Sequence, residues 1–215
     1  MNKRFTVFDG PSNVWERAWE SLARSTCAFD MVREDPAMAP LGAQVRSAFI
    51  EWSAVESERV QLRANLASIS SRGRVADAAL DYRVARLATA VIEKHGGRDG
   101  EIYRAMFPLA HESVIALGLD AELPAVALAL SCLEKYREQA PELLEHVAPL
   151  RTAMQAGTSA LADRAEVYGA LGRLQARIES WLESESSLEI HVRSALTELA
   201  AQRGMDARWI EAFAV

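Results

Sequence analysis

The chain has 215 residues, of which 50% are hydrophobic and 25% are charged, and its formal net charge is −6. This composition is typical of a globular protein, and the length fits one large domain or two smaller lobes. The acidic balance argues against nucleic acid as the main partner, because Lys and Arg drive phosphate binding. No run approaches the roughly 18 apolar residues of a membrane span, and the first residues lack a signal-peptide pattern. We therefore expect a cytoplasmic protein that does not contact a membrane.

Apolar residues at helical spacing are the main pattern in the first half of the chain. They predict a first helix that opens at a capping box of Asn13 and Glu16 and buries a face from Trp15 to Thr26. Pro36 and Pro40 then interrupt the chain. A long helix follows, and its apolar residues form a heptad seam from Leu41 to Ile69. Serines and a glycine at 68–74 predict a break or kink, after which a further helix covers 80–91. A short aromatic-bearing helix is predicted at 101–107.

The second half of the chain gives a similar series of elements. Residues 123–133 are apolar nearly all round, which predicts a central helix buried on every side. A second seam runs from His146 to Leu174, and helices at 188–199 and 207–213 follow. Apart from Phe5 to Phe8, no segment has a strand pattern. The predicted fold is all-α, a helical bundle of about six main helices.

The second half of the chain also repeats the first. A shift of 105 residues places proline on proline, cysteine on cysteine and one acid–Arg dipeptide on another, and none of these matches follows from amphipathicity. We predict two tandem repeats, 1–108 and 109–215, related by a pseudo-twofold axis and forming one globular unit. The alternative is that two amphipathic helices align on their apolar stripes alone. The matched residues are Cys27 with Cys132, Pro36 with Pro141, Glu58 with Asp163, and Arg59 with Arg164.

Two pairs of matched positions carry packing predictions. Cys27 and Cys132 are too few for a disulfide scaffold, and we expect both to be small core residues. In the seams, Trp52 corresponds to Gly157, a large residue against a small one. If the two long helices face each other, the indole would fill the space that the glycine leaves.

The seams also contain the best candidate ligand site, because each carries an arginine at the same step. An arginine in an apolar seam must find acceptors or reach water. Arg59 and Arg164 could together clamp an anion, with Glu58 and Asp163 beside them. Alternatively, the arginines pair across the repeats with Asp163 and Glu58 and only set the register of the helices, which we favour.

Three further groups of residues have both a functional and a structural interpretation. Glu142 and His146 lie four apart, a spacing that suits metal ligands on one helix face, but His146 also fits an edge of the core. Arginines at 72, 74, 83 and 86 form a basic patch, which in acidic surroundings favours a solvated face or a docking surface over a nucleic-acid site. The aromatic residues of the two short terminal helices could form an interface or cap the core of each lobe. They are Tyr103, Phe107, Trp209 and Phe213.

No sequence motif indicates catalysis. The chain has neither a Gly-x-Ser-x-Gly elbow nor a His-Glu-x-x-His motif, and its four histidines are scattered. We expect no cofactor. The sequence favours a non-catalytic helical interaction or scaffold protein that acts by self-association or by binding a partner helix. The alternative is a bundle that binds a small anionic ligand or a metal between its two repeats, with an enzymatic role left open.

Overall fold

The computed structural model describes residues 13–213, with side chains described from residue 17 onward. The segment Phe5 to Phe8 lies outside this range. Every regular element in the described range is helical, so the all-α prediction is confirmed. None of these helices is both long enough and apolar enough to cross a membrane.

Seven α-helices and two short 3-10 helices follow one another along the described chain. The 3-10 helices are Gly97–Asp99 and Pro141–His146. Helices α2 and α6 are by far the longest elements. The α-helices are α1 (Asn13–Met31), α2 (Ala39–Lys94), α3 (Glu101–Met106), α4 (His111–Ile115), α5 (Leu119–Lys135), α6 (Val147–Arg203) and α7 (Ala207–Glu211).

Local chemistry determines where the long helices begin and end. In the turn before α2, an Asp35 carboxylate oxygen accepts a hydrogen bond from the backbone N–H of Ala37 at 3.0 Å. After α2, Gly96 has a φ of 82°, and after α6, Gly204 has a φ of 66°. Glycine adopts this left-handed conformation at little cost, and it is the usual residue just after a helix end.

The contacts divide the chain into two compact units. Unit 1 comprises residues 1–63 and 169–215, and unit 2 comprises residues 64–168. Each unit therefore takes residues from both sides of position 108, where the two predicted repeats meet. The repeat boundaries concern sequence correspondence, so they stay a prediction.

The core of unit 1 is built from α1, the first part of α2, the last part of α6, and the segment around α7. Its centre is an aromatic pair, Trp52 and Trp181, whose ring centroids lie 4.4 Å apart. Phe29 and Phe213 form a second pair at 5.2 Å. Arg203, at the end of α6, donates hydrogen bonds of 2.5 and 3.0 Å to the two carboxylate oxygens of Asp35. This ion pair ties the end of α6 to the loop between α1 and α2.

The core of unit 2 is built from the last part of α2, helices α3, α4 and α5, and the first part of α6. Leu80, Leu87 and Leu133 are among its fully buried side chains. Tyr136 donates a hydrogen bond of 3.0 Å to Glu101, and His95 is 2.7 Å from a carboxylate oxygen of Glu142. The predicted seams supply much of the apolar face in both units, since Val45, Val55, Leu150 and Leu171 are all buried.

The predicted break at 68–74 is wrong, because α2 is continuous through it. The apolar face continues from Ile69 through Ala76 to Leu80, all of which are buried. Packing of that face outweighs the helix penalty of Gly73, which is about 1 kcal/mol. Helix α5 was expected to be buried on every side, yet Ala127, Leu128 and Ser131 are exposed. Its outer face is therefore apolar but accessible to solvent.

Two packing predictions from matched positions are also corrected. Trp52 packs on Trp181 within unit 1. Gly157 belongs to unit 2, where a Cβ atom added to it would lie 2.8 Å from a terminal methyl carbon of Leu119. The space above this glycine is thus occupied by leucine. Cys27 is exposed, which contradicts the core prediction, and Cys132 is half-buried, with its thiol donating to the backbone oxygen of Ala105 at 3.3 Å.

Candidate functional site

The two seam arginines lie in different units and in different surroundings. Arg59, in unit 1, has a side chain that is 13% exposed and donates two hydrogen bonds to the Glu56 carboxylate, at 2.6 and 2.5 Å. Arg164, in unit 2, is 48% exposed and lies 3.5 Å from a carboxylate oxygen of Asp120. Arg59 therefore has an acceptor one turn away on its own helix, whereas Arg164 faces solvent with a weak partner.

The neighbouring acids pair with other arginines. In unit 1, Glu58 forms an ion pair with Arg177. In unit 2, Asp163 forms an ion pair with Arg72 at 3.2 Å. Each pair links α2 to α6 within its own unit. The sequence favoured ion pairs of these two acids across the repeats, but with Arg59 and Arg164 as the partners. The structure instead pairs them with Arg177 and Arg72.

Glu142 and His146 lie on the 3-10 helix Pro141–His146. A 3-10 helix has three residues per turn, so residues four apart do not share a face. The Glu142 carboxylate contacts His95, and burial lowers the pKa of His146. Within residues 13–213, no three His, Cys, Asp or Glu side chains are arranged to hold a metal ion. The spacing argument for a metal therefore has no structural support in this segment.

The terminal aromatic residues pack inside their own units. Tyr103 and Phe107 belong to the core of unit 2, and their ring centroids lie 5.3 Å apart. Phe213 belongs to the core of unit 1, and the half-buried Trp209 packs against it at 5.3 Å. This placement supports the interpretation that they cap each core. Their role as an interface stays a prediction, with little side-chain surface left for a partner.

A cluster of three carboxyl groups in unit 2 was not predicted. Glu122, on α5, is fully buried, and it lies with Asp77 and Asp81, which are one turn apart on α2. As ionised groups, both oxygens of Glu122 and one buried oxygen each of Asp77 and Asp81 lack a donor, and a proton held between Glu122 and Asp81 gives these two side chains a hydrogen bond to each other. We call these three residues the carboxyl cluster. Burial, together with the nearby Asp81 and Asp77 carboxylates, raises the pKa of Glu122 to about 8.

A cleft of about 380 Å³ lies beside the carboxyl cluster, and Asp77 lines it. Its other polar lining comes from Ser70, Arg74 and Arg164. The apolar walls are formed by Ile69, Leu119, Ala160 and Leu161, and Gly73 completes the lining. Arg164 is thus a predicted ligand residue that does line a cleft, although Arg59, Glu58 and Asp163 do not line it.

A second surface feature of unit 2 is an exposed, uncharged face of α2. Its residues recur every three or four positions, so they lie along one side of the helix. Val75 is 69% exposed and Tyr82 is 55% exposed. Arg72, Arg74, Arg83 and Arg86 border this face and are all exposed. We call it the α2 outer face, and its residues are Ala64, Ala67, Ser71, Val75, Ala78 and Tyr82.

Sequence reasoning missed the carboxyl cluster because each acid has an ordinary interpretation on its own. Glu122 lies in the first turn of α5 beside Asp120, where an acid favours the positive end of the helix dipole. Asp77 and Asp81 look like solvated acids of a mixed helix. The available signal was their spacing of four, which places two like charges on one helix face.

The chain matches no family model, no curated protein and no solved structure.

Proposed function

We propose that the protein is a non-catalytic helical interaction protein that self-associates through the α2 outer face. One observation carries this proposal: six exposed positions on one side of α2 in unit 2 hold no charged residue, and two of them hold Val75 and Tyr82. The outer face of a surface helix is normally charged or polar. An apolar face with heptad-like spacing and small Ala and Ser residues suits close packing against another helix.

A second copy of α2 is a suitable partner. The part of α2 in unit 1 has its own exposed, uncharged positions at the same spacing, and these include Ile50, Ser57 and Val60. Glu51 and Glu58 lie beside them, whereas arginines border the α2 outer face. An antiparallel second copy would bring the acidic border of one helix against the basic border of the other, which is the usual way that border charges set helix orientation.

Mutation of the α2 outer face tests the proposal. Val75→Glu combined with Tyr82→Glu adds two desolvated charges to the contact, so the double variant should be monomeric where the wild type is not. Sedimentation velocity over a concentration series measures this. Leu128→Glu, on the exposed side of α5 in the same unit, is the matched control and should leave association unchanged. A wild type that is monomeric at every concentration would overturn the proposal.

A charge exchange tests the antiparallel orientation. Glu51→Arg alone should weaken association because it places two cations together, and adding Arg83→Glu should restore it. The expected loss is about 2- to 5-fold in the dimer dissociation constant for each such contact, since exposed pairs contribute roughly 1 kcal/mol or less. Failure of the second change to rescue the first would argue against this register.

We also propose that the two repeats are related by a pseudo-twofold axis. Two ion pairs support this, because the shift of 105 residues takes Arg72 and Glu58 to Arg177 and Asp163. The pair Arg72–Asp163 thus corresponds to the pair Arg177–Glu58. The lengths of the long helices agree as well, with 56 residues in α2 and 57 in α6.

Binding of a small anionic ligand is the second candidate function. The observation that favours it is the cleft of unit 2, where Arg74 and Arg164 come from opposite sides of position 108. A cleft with a few polar groups on apolar walls is the usual form of a small-molecule site. Such a ligand should raise the melting temperature of the protein in proportion to the logarithm of its concentration once the site is saturated.

A further inference from the structure

The carboxyl cluster brings three acidic side chains close together in the folded protein. Glu122 is fully buried, and no donor other than a proton held with Asp81 reaches its carboxylate oxygens. Burial of an unpaired carboxylate is costly, so such a group takes up a proton or acquires a cation. Asp77 and Asp81 lie on the facing helix, each with one buried oxygen that also lacks a partner. Three acids from two helices therefore converge with unused acceptor capacity.

Asp77 connects the carboxyl cluster to the cleft, because it belongs to both. The remainder of the lining separates into two kinds of surface. Ile69, Leu119 and Leu161 are apolar, whereas Arg74 and Arg164 are exposed cations. The lining of the cleft thus carries one carboxylate, Asp77, and two guanidinium groups, those of Arg74 and Arg164.

The lack of a side chain at Gly73 helps to keep this space open. Gly73 lines the cleft, and a Cβ atom added to it would meet no atom within 4 Å. Under the proposed repeat, Gly157 corresponds to Trp52 by the shift of 105 residues. A three-residue insertion near 175–178 raises the shift to 108 beyond that point, and this shift takes Gly73 to Trp181. In unit 1 the two tryptophans stack on each other and fill the corresponding space. In unit 2, Leu119 covers Gly157, but nothing covers Gly73.

We propose that the cleft of unit 2 binds a small amino-anion, whose protonated amine lies against Asp77, the member of the carboxyl cluster that lines the cleft, and whose anionic group lies against Arg74 and Arg164. An ammonium group supplies a counter-charge to Asp77, one buried oxygen of which has no hydrogen-bond partner. A carboxylate or phosphate group uses the guanidinium donors of Arg74 and Arg164. This inference uses the same cleft as the second candidate function, and it does not depend on self-association.

The surroundings favour an organic amine over a metal ion. Among the described residues, no three acidic, histidine or cysteine side chains are arranged to hold a metal. Two arginines line the same cleft, and their positive charge opposes a bare divalent cation there. An amine that carries its own anion meets both sides of the cleft with opposite charge.

Binding should release a proton. The pKa of Glu122, raised to about 8, keeps this carboxyl largely protonated at pH 7. The groups that face it are Asp77 and Asp81 on α2, while Asp120 shares its helix and Arg164 lines the adjoining cleft from α6. An ammonium group at the cluster favours the ionised carboxylate and lowers its pKa. Affinity for the amine should therefore increase as pH rises from 7 towards 9.

Isothermal titration calorimetry with probes of matched size tests the proposal. The two-charge probes are 4-aminobutyrate and phosphoethanolamine, which carry an ammonium and an anionic group. The other probes carry charge of one sign only: butyrate and inorganic phosphate are anions, and butylamine and Mg²⁺ are cations. We expect the two-charge probes to bind at least 10-fold more tightly than any other, and their relative affinities separate a carboxylate from a phosphate ligand. Titrations in buffers of different ionisation enthalpy measure the released proton. Equal binding of butyrate, or tight binding of Mg²⁺ alone, would overturn the proposal.

Three variants locate the site. Glu122→Gln should weaken the two-charge probes at least 10-fold and remove the proton release. Glu185→Gln, at a half-buried glutamate of unit 1 whose pKa is also raised by burial, is the matched control and should change neither. Gly73→Trp should fill the cleft and abolish binding without losing helicity, measured by circular dichroism. Unchanged binding in Glu122→Gln and Gly73→Trp would overturn the site, whereas monomeric wild type would overturn only self-association.

Discussion

At the scale of single residues, burial assigns roles that residue type alone does not. Glu122 and Glu142 are both glutamates close to a helix start, yet Glu122 is fully buried and Glu142 is exposed beside His95. The pKa of Glu142 is lowered by backbone hydrogen bonding and by His95, whereas the pKa of Glu122 is raised by burial. The same side chain thus stabilises one site in its ionised form and the other in its neutral form.

The buried glutamate should make stability fall as pH rises. Because its folded-state pKa lies near 8 and its usual value is 4.5, the folded protein holds this proton more tightly than the unfolded chain does. Its contribution is therefore fully present below pH 4.5 and is lost as pH rises towards 8, at about 1.4 kcal/mol for each pH unit. Glu122→Gln should flatten this part of the profile, as measured by urea denaturation at several pH values. An unchanged slope would show that Glu122 does not titrate there.

Two glycines of unit 1 should respond oppositely to the same substitution. Gly172 is exposed in α6 and a Cβ atom would meet nothing within 4 Å, so Gly172→Ala should stabilise by about 0.5–1 kcal/mol. Gly42 is buried in α2, where the added Cβ atom would lie 2.9 Å from the Cβ atom of Phe29, so Gly42→Ala should destabilise. Chemical denaturation measures both changes, and a shift of the same sign would contradict this packing.

At the scale of elements, burial of an apolar face decides whether a helix continues more strongly than a few residues of low helix propensity do. Helix α2 passes through Ser70, Ser71 and Gly73 without a break, since Ile69 and Ala76 on either side are buried. For α5, the apolar pattern predicted more burial than the structure shows. Its apolar residues extend onto the exposed side, where Leu128 is 43% exposed. A polar face indicates solvent reliably, but an apolar face does not by itself establish burial.

The aromatic pair between α2 and α6 should be a large contribution to the stability of unit 1. Trp52 is 2% exposed and stacks on Trp181, so Trp52→Ala should cost about 3–5 kcal/mol. Trp19 is 42% exposed and stacks loosely on Phe49, with ring centroids 6.5 Å apart. Trp19→Ala is therefore the matched control and should cost much less, as measured by urea denaturation. Similar losses for both variants would show that burial does not set the difference.

At the scale of the whole molecule, sequence order and spatial grouping differ. The sequence predicts two similar halves that meet at position 108. In space, unit 2 combines the end of α2 with the start of α6, and unit 1 combines the remaining parts of both helices. A repeat is a property of the sequence, whereas a compact unit follows from which apolar faces meet, and the two need not have the same boundaries.

The sequence by itself determined the helical class, because apolar residues at 3.6-residue spacing bury efficiently only as helices. It also placed Val45, Val55, Leu150 and Leu171 on the buried face. Only the tertiary structure decided which acids lose their water and which ion pairs form. Glu122 meets Asp81 across 41 residues of sequence, and Arg177 meets Glu58 across 119. Desolvation and ion pairing depend on the distances between helices, and the spacing of residues along one helix gives no information about those distances.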